Sequence, residues 1–289
     1  MDSKPPFMLS RTMKTTPLVL AIVTLLQLLL ATPSSAAPSG SGSSEDLNDI
    51  IVGGLPLPFG VGVNYLWQRG EYEVTDLHAT PLPPGVSVGP GAIPKVQNHV
   101  DEVNVKLDWW ALPWLNVHAV VGWADGHADA SLSPDLAPLL GGASQFTVDY
   151  NGFIYGGGMT LAAGYKHIFG TFTANYTWGD IDLKNGTGLS FIDPDSIETL
   201  VLTPKVGWRF EQGVVWVGGF YQFTSYVQSG RFNLGPPLGV INFQASVEDK
   251  SPWNYVVGGE YKLFDHWNLM AEGGFGDRDQ VLAGITYRF

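Results

Sequence analysis

Gln280-Val281-Leu282-Ala283-Gly284-Ile285-Thr286-Tyr287-Arg288-Phe289 ends the chain, and the reading of this stretch decides the fold. Val281, Ala283, Ile285, Tyr287 and Phe289 are apolar or small, while the positions between them include Gln280, Thr286 and Arg288. A repeat of two places alternate side chains on opposite faces of a β-strand. About ten residues is also the length of a tilted strand that crosses a bilayer.

The same alternation recurs upstream. Val103, Val105, Leu107 and Trp109 oppose Glu102, Asn104, Lys106 and Asp108. Leu115, Val117, Ala119, Val121 and Trp123 oppose Asn116 and His118. Phe172, Ala174, Tyr176 and Trp178 alternate with Thr171, Thr173, Asn175 and Thr177. Tyr255, Val257, Gly259, Tyr261 and Leu263 oppose Asn254, Glu260 and Lys262. Ten strands are expected: Phe59–Thr75, Val96–Trp110, Trp114–Ala124, Tyr150–Tyr165, Thr171–Leu183, Glu198–Phe210, Val214–Val227, Ser251–Phe264, Trp267–Gly276 and Gln280–Phe289. In Val214–Val227 the facing stays open, because Trp216 and Phe220 compete with Val215, Val217 and Tyr221 for the outside.

Connection lengths supply the topology. Ala111–Pro113, Lys166–Gly170, Glu211–Gly213 and Asp265–His266 are short. Asp76–Lys95, Asp125–Asp149, Lys184–Ile197 and Gln228–Lys250 are long and read as loops, and Asp277–Asp279 is short again. Short and long links that alternate along the chain are what an up-and-down barrel produces, with short turns at one rim and loops at the other. The expected fold is therefore all-β: a transmembrane antiparallel up-and-down β-barrel of about ten strands, or eight if Phe59–Thr75 or another weak strand drops out. An even strand count puts both chain ends at the short-turn rim. Aromatic residues collect near the short turns (Trp109, Trp208, Phe264, Trp267) and near the long loops (Trp67, Trp123, Trp178, Trp253), as two interfacial belts would require.

Composition narrows the class. With 36 Gly, 10 Trp, 11 Tyr and 15 Phe, the chain suits tight turns and aromatic-rich strands. It has no cysteine, so no disulfide contributes to its stability and no lipid can be attached through a cysteine. Lys4, Arg11 and Lys14 precede an apolar run, Leu18–Ala31, followed by Ser34-Ser35-Ala36. This is the pattern of a secretory signal peptide, residues 1–36, with Met13 an alternative start. Residues 37–58 read as a flexible lead-in, Gly/Ser-rich and acidic as far as Asp49 and apolar and proline-interrupted from Ile50 to Pro58, and 59–289 as the barrel. Losing Lys4, Arg11, Lys14 and Asp2 from 15 basic and 27 acidic residues leaves 12 and 26, a formal charge of −14. Such a chain is not a nucleic-acid binder, because it lacks the cations that phosphates require.

Gly284, Tyr287 and the terminal Phe289 together resemble the C-terminal assembly signal of bacterial outer-membrane β-barrels. The resemblance implies export to the outer membrane and insertion by the barrel assembly machinery through the last strand. It further implies a lipid surround that includes lipopolysaccharide, and a monomer.

The polar strand faces would line the lumen. Their charges are Glu102, Lys106, Asp108, Lys205, Arg209, Glu260, Lys262, Glu272 and Arg288. They form either a polar pathway for a small solute or a set of ion pairs that plugs a narrow barrel, and the second is favoured because side chains alone can fill a small lumen. The function expected is a structural or small-solute permeability (porin-like) role. The alternative is a surface adhesin or ligand receptor built on the long loops. An enzyme is not expected. Ten strands with acidic loops resemble the omptin proteases, yet only His127, near Asp125 and Asp129, offers a starting point, and it reads as a loop histidine. A lipid-modifying barrel would need a Ser–His pair, and no Gly-x-Ser-x-Gly elbow is present. Asp180/Asp182, Asp193/Asp195 and Asp277/Asp279 lack the spacing of a calcium loop and read as solvated surface. No catalytic residue, metal ligand or cofactor is assigned.

Overall fold

The computed structural model describes residues 57–82, 88–134, 144–184, 189–192, 196–233 and 239–289. The expected signal peptide and all of the lead-in before Leu57 lie outside the described residues, as do Asp193 and Asp195. Among the described residues there are twelve strands: β1 Phe59–Thr80, β2 Lys95–Leu112, β3 Leu115–Ser131, β4 Gln145–Tyr165, β5 Ile168–Leu183, β6 Leu189–Ile192, β7 Ile197–Phe210, β8 Gly213–Asn233, β9 Val240–Asp249, β10 Trp253–Phe264, β11 Trp267–Gly276 and β12 Asp279–Arg288. A short 3₁₀ turn, Pro90–Ala92, precedes β2. Among the described residues no helix is long and apolar enough to cross a membrane.

Ten of these strands close a ring in the order β1-β2-β3-β4-β5-β7-β8-β10-β11-β12 and back to β1, every pair antiparallel. The seam between first and last strands runs from Gly60↔Arg288 to Arg69↔Asp279. It ends in two backbone bonds, Phe59 N–H to the Phe289 carbonyl at 3.1 Å and Phe289 N–H to the Phe59 carbonyl at 3.0 Å. Two-residue turns at 113–114, 166–167, 211–212 and 265–266 share that rim. In one of them Lys166 takes a left-handed conformation at φ 55°.

The wall is apolar outside and polar inside. Val103 and Val217 are 52% and 57% exposed, whereas Asp108, Asn116 and Glu272 are at most 5% exposed. A water-soluble barrel would reverse this arrangement, because burial in water rewards apolar interiors. Ring closure also gives each of the ten ring strands a partner on both sides, which a lipid environment demands. The molecule is an outer-membrane-type β-barrel.

The ring is not a uniform cylinder. β10, β11 and β12 have 12, 10 and 10 residues, about what a bilayer crossing needs. β1, β4 and β8 have 22, 21 and 21 residues and continue beyond it as a crown. In that crown β9 pairs with β1 from Tyr72↔Asp249 to Thr80↔Asn242 and with β8 from Ser225↔Glu248 to Asn233↔Val240. One strand therefore replaces three between β8 and β1. At about 4.8 Å per strand spacing, the gap narrows from about 19 Å to about 10 Å.

Three expectations change. Lys184–Ile197 and Gln228–Lys250 are not simply loops, because they carry β6 and β9. The strands before the long connections also run further than expected, β3 reaching Ser131 and β8 reaching Asn233. The ambiguity in β8 resolves with Trp216 inside, 9% exposed, and Val215 and Val217 outside.

Candidate functional site

The lumen is built in layers. Near the short-turn rim, Asp108 on β2 receives Arg288 Nη1 from β12 at 3.0 Å and Asn116 Nδ2 from β3 at 2.8 Å. Across the barrel, Lys205 Nζ on β7 and Trp216 Nε1 on β8 both donate to Glu272 Oε2 on β11, at 2.5 and 2.6 Å. Lys106 lies in the electrostatic field of Asp108, Arg288, Glu260 and Lys205. Asn268 Nδ2 donates to Glu260 at 2.7 Å, and Asn64 donates to Asn104, which donates to Glu102. His118, Gly158 and Asn175 stand side by side on β3, β4 and β5. The absent glycine side chain lets His118 Nε2 meet Asn175 Oδ1 at 2.5 Å across the middle strand.

Above these pairs sits a buried polar lock. The two-residue turn between β11 and β12 sends Arg278 inward, where Nη2 meets Asp249 Oδ1, at the end of β9, at 2.5 Å. Both side chains are enclosed, at 3% and 0% exposure. Thr224 N–H donates to Asp249 Oδ2 at 2.7 Å, and Asn254 Nδ2 donates to the Arg278 carbonyl at 2.6 Å. Gln68 accepts from Arg278 Nη1 at 2.7 Å with its amide oxygen turned to the guanidinium. Five elements, β1, β8, β9, β10 and the β11–β12 turn, thus converge on one ion pair.

Beyond the lock the crown interior is apolar. Val74, Leu77, Ala92, Val96, Ala130, Ala245 and Val247 form a buried cluster, flanked by Tyr72, Phe146 and Tyr226. At its edge Glu71 bridges Lys95 Nζ at 2.6 Å and Lys250 Nζ at 3.0 Å. These two ammonium groups, Lys95 first, hold the Glu71 carboxyl below its ordinary range, and Glu71 in turn raises Lys250. A polar lock topped by an apolar cluster thus occupies the crown end of the barrel interior.

Of the nine charges read as lumenal, Asp108 with Arg288 and Lys205 with Glu272 are joined as pairs. Glu102 and Glu260 accept from asparagines, and Lys106 lies among the paired charges. Arg209 sits beside the 211–212 turn, its backbone N–H bonded to the His167 carbonyl at 2.7 Å. Lys262 is not enclosed: it is 53% exposed and faces Asp265 of the adjoining turn at 3.5 Å. In the terminal strand, Tyr287 packs on Trp267 at 5.0 Å, Phe289 stacks on Phe59 at 5.9 Å, and Gly284 leaves room for the Asn64 amide.

His127 lies on β3, not in a loop, on the outer wall opposite His99. The rings stack at 4.6 Å with 15° between planes. Burial, then the neighbouring His127 and Arg69, lower the His99 pKa. Arg278 and Asp249 were absent from the sequence-derived set. Nothing local marks Asp249, but a lone arginine within the tight Asp277–Asp279 link was a usable signal.

No protein-family model matches the chain, and no curated relative matches it. Solved structures do resemble it. The outer membrane protein OprG from Pseudomonas aeruginosa is 12% identical over 82% of this chain and 99% of that one, with a TM-score of 0.46. The outer membrane protease OmpT from Escherichia coli is 11% identical over 81% and 97%, at 0.39. The toluene transporter TodX from Pseudomonas putida is 12% identical over 88% and 95%, at 0.32. Likeness of this degree assigns neither a family nor an activity.

Proposed function

We propose that the protein is an integral outer-membrane barrel that is closed at rest and serves as a structural, surface-exposed component, without enzymatic activity. The buried Arg278–Asp249 pair beneath the apolar crown core supports this reading, because buried side chains fill two successive layers of the interior. Short turns face the periplasm and the crown faces outward, as in bacterial barrels generally. Lipid that includes lipopolysaccharide surrounds the wall between the two aromatic zones. The assembly machinery engages the terminal strand, and the signal peptide is removed after Ala36. A small-solute permeability role then requires the lock to open. The test is single-channel recording in a planar bilayer, on protein whose folding is verified by a heat shift on a gel. Silence from the folded wild type is expected, and discrete, reproducible conductance steps would overturn the closed reading.

A second reading, a surface adhesin or receptor, is favoured by the crown itself. Strands of 21 and 22 residues far exceed a bilayer crossing and form a rigid exposed platform. Replacing the long connections with short turns should then abolish surface binding while sparing the heat shift.

A further inference from the structure

The outer wall carries a cluster that neither the lumen nor the crown core uses. His99 on β2 faces His127 on β3, and Asp129 follows two residues later on the same face. One ligand atom from each of the three lies within 4.8 Å of the others. All three side chains are half-buried, so they are held in place yet reachable from outside. Thr147 Oγ1 on β4 donates to Asp129 Oδ1 at 2.5 Å, which fixes the carboxylate and leaves its second oxygen available. His99 Nδ1 is enclosed without a hydrogen-bond partner. A buried ring nitrogen without a partner loses its interaction with water and gains nothing in return, so a ligand would satisfy it.

The surroundings favour a cation. Asp149 stands opposite His127 on β4, and Asp101 and Asp125 form the next row down on the same face. Two cations stand beside these rows, Arg69 opposite His99 on β1 and Lys184, whose Nζ lies 3.9 Å from Asp125 Oδ2. We propose that His99, His127 and Asp129 form a binding site for a divalent transition metal of the zinc, copper(II) or nickel class. Two imidazoles and one carboxylate suit those ions, whereas calcium and magnesium require oxygen sets. A tetrahedral ion with bonds near 2.1 Å holds its ligands about 3.4 Å apart, so small side-chain rotations would complete the site. On the same face, one row beyond Asp101 and Asp125, lies the aromatic pair Trp123 and Phe153.

The test is calorimetric titration of zinc chloride into the detergent-solubilised, chelator-stripped protein. Binding of about one ion per chain is expected, as for a single three-ligand site. His99→Gln and His127→Gln should each remove it. Thr147→Val, which frees the carboxylate, should weaken it about tenfold. His167→Gln, at the opposite rim, should leave it unchanged. No saturable binding by the wild type would overturn the proposal, and so would binding that persists unaltered in both His99→Gln and His127→Gln. If a variant fails its heat shift, electron paramagnetic resonance of copper(II) on the wild type decides. Coupling to two nitrogens supports the site, and its absence refutes it.

Discussion

Arg278→Met should be among the most damaging single substitutions in the barrel. Its partner Asp249 has no exposed side-chain surface, and water cannot replace the lost guanidinium. Removing one member of a buried pair typically costs about 3–5 kcal/mol, because the remaining charge is stranded. Asp249 keeps the N–H and hydroxyl of Thr224 but no cation, and Gln68 loses the group it accepts from. The upper part of that range is therefore expected. Replacing both partners should behave differently. In Arg278→Met/Asp249→Leu no charge remains, the new side chains extend the apolar core above, and most of the loss should be recovered. Urea unfolding in lipid vesicles, followed by tryptophan fluorescence, would measure Arg278→Met, Asp249→Leu and the double variant against the wild type. A single-variant loss under about 1 kcal/mol, or a double variant no better than the sum of the singles, would refute the lock.

Gly158→Val should break the His118–Asn175 bond, since a Cβ would sit 2.5 Å from Asn175 Oδ1 and 2.9 Å from His118 Nε2. Overpacking of this kind costs about 1–3 kcal/mol, readable in the same unfolding assay. Glu71→Gln should weaken the clamp to Lys95 and Lys250. Because the folded carboxyl lies below its ordinary value of 4.5, its contribution is full above that pH and is lost as the pH falls through the folded value. The difference between wild type and Glu71→Gln should thus be constant near neutral pH and shrink on acidification; a difference that grows in acid would contradict the ion-pair reading. Deleting Phe289 removes the stack on Phe59 and should reduce the amount of heat-shifted protein in outer-membrane fractions. Wild-type amounts would show that the terminal ring is dispensable.

The transmembrane part of the fold was legible because each of its determinants is local. Alternation along Gln280–Phe289 or Val103–Trp109 states which side chains face lipid, and two-residue turns state which strands pair. β9 was legible in principle, since Ile241, Ala245 and Val247 alternate with Asn242, Gln244, Ser246 and Glu248. Loop parity hid it, because an extra strand that lies only in the crown keeps the long connection long. β6, four residues in length, is too short to register a period. The lock was illegible for a different reason. Asp249 and Arg278 become partners only because β9 displaces three strands, and nothing in either neighbourhood encodes that. The outer-wall triad is similar, its two histidines being joined by the β2–β3 register and not by their spacing along the chain.

That β1 is bonded to β2, β9 and β12 sets the order in which the molecule can be made. Its partners β9 and β12 are the ninth and last strands, and the seam joins segments separated by roughly two hundred residues. β1 therefore keeps an open edge until β12 is available to pair with it. During that interval its apolar face and unpaired amides invite association with other chains. Truncation from the C-terminal end therefore removes the pairing that closes the ring.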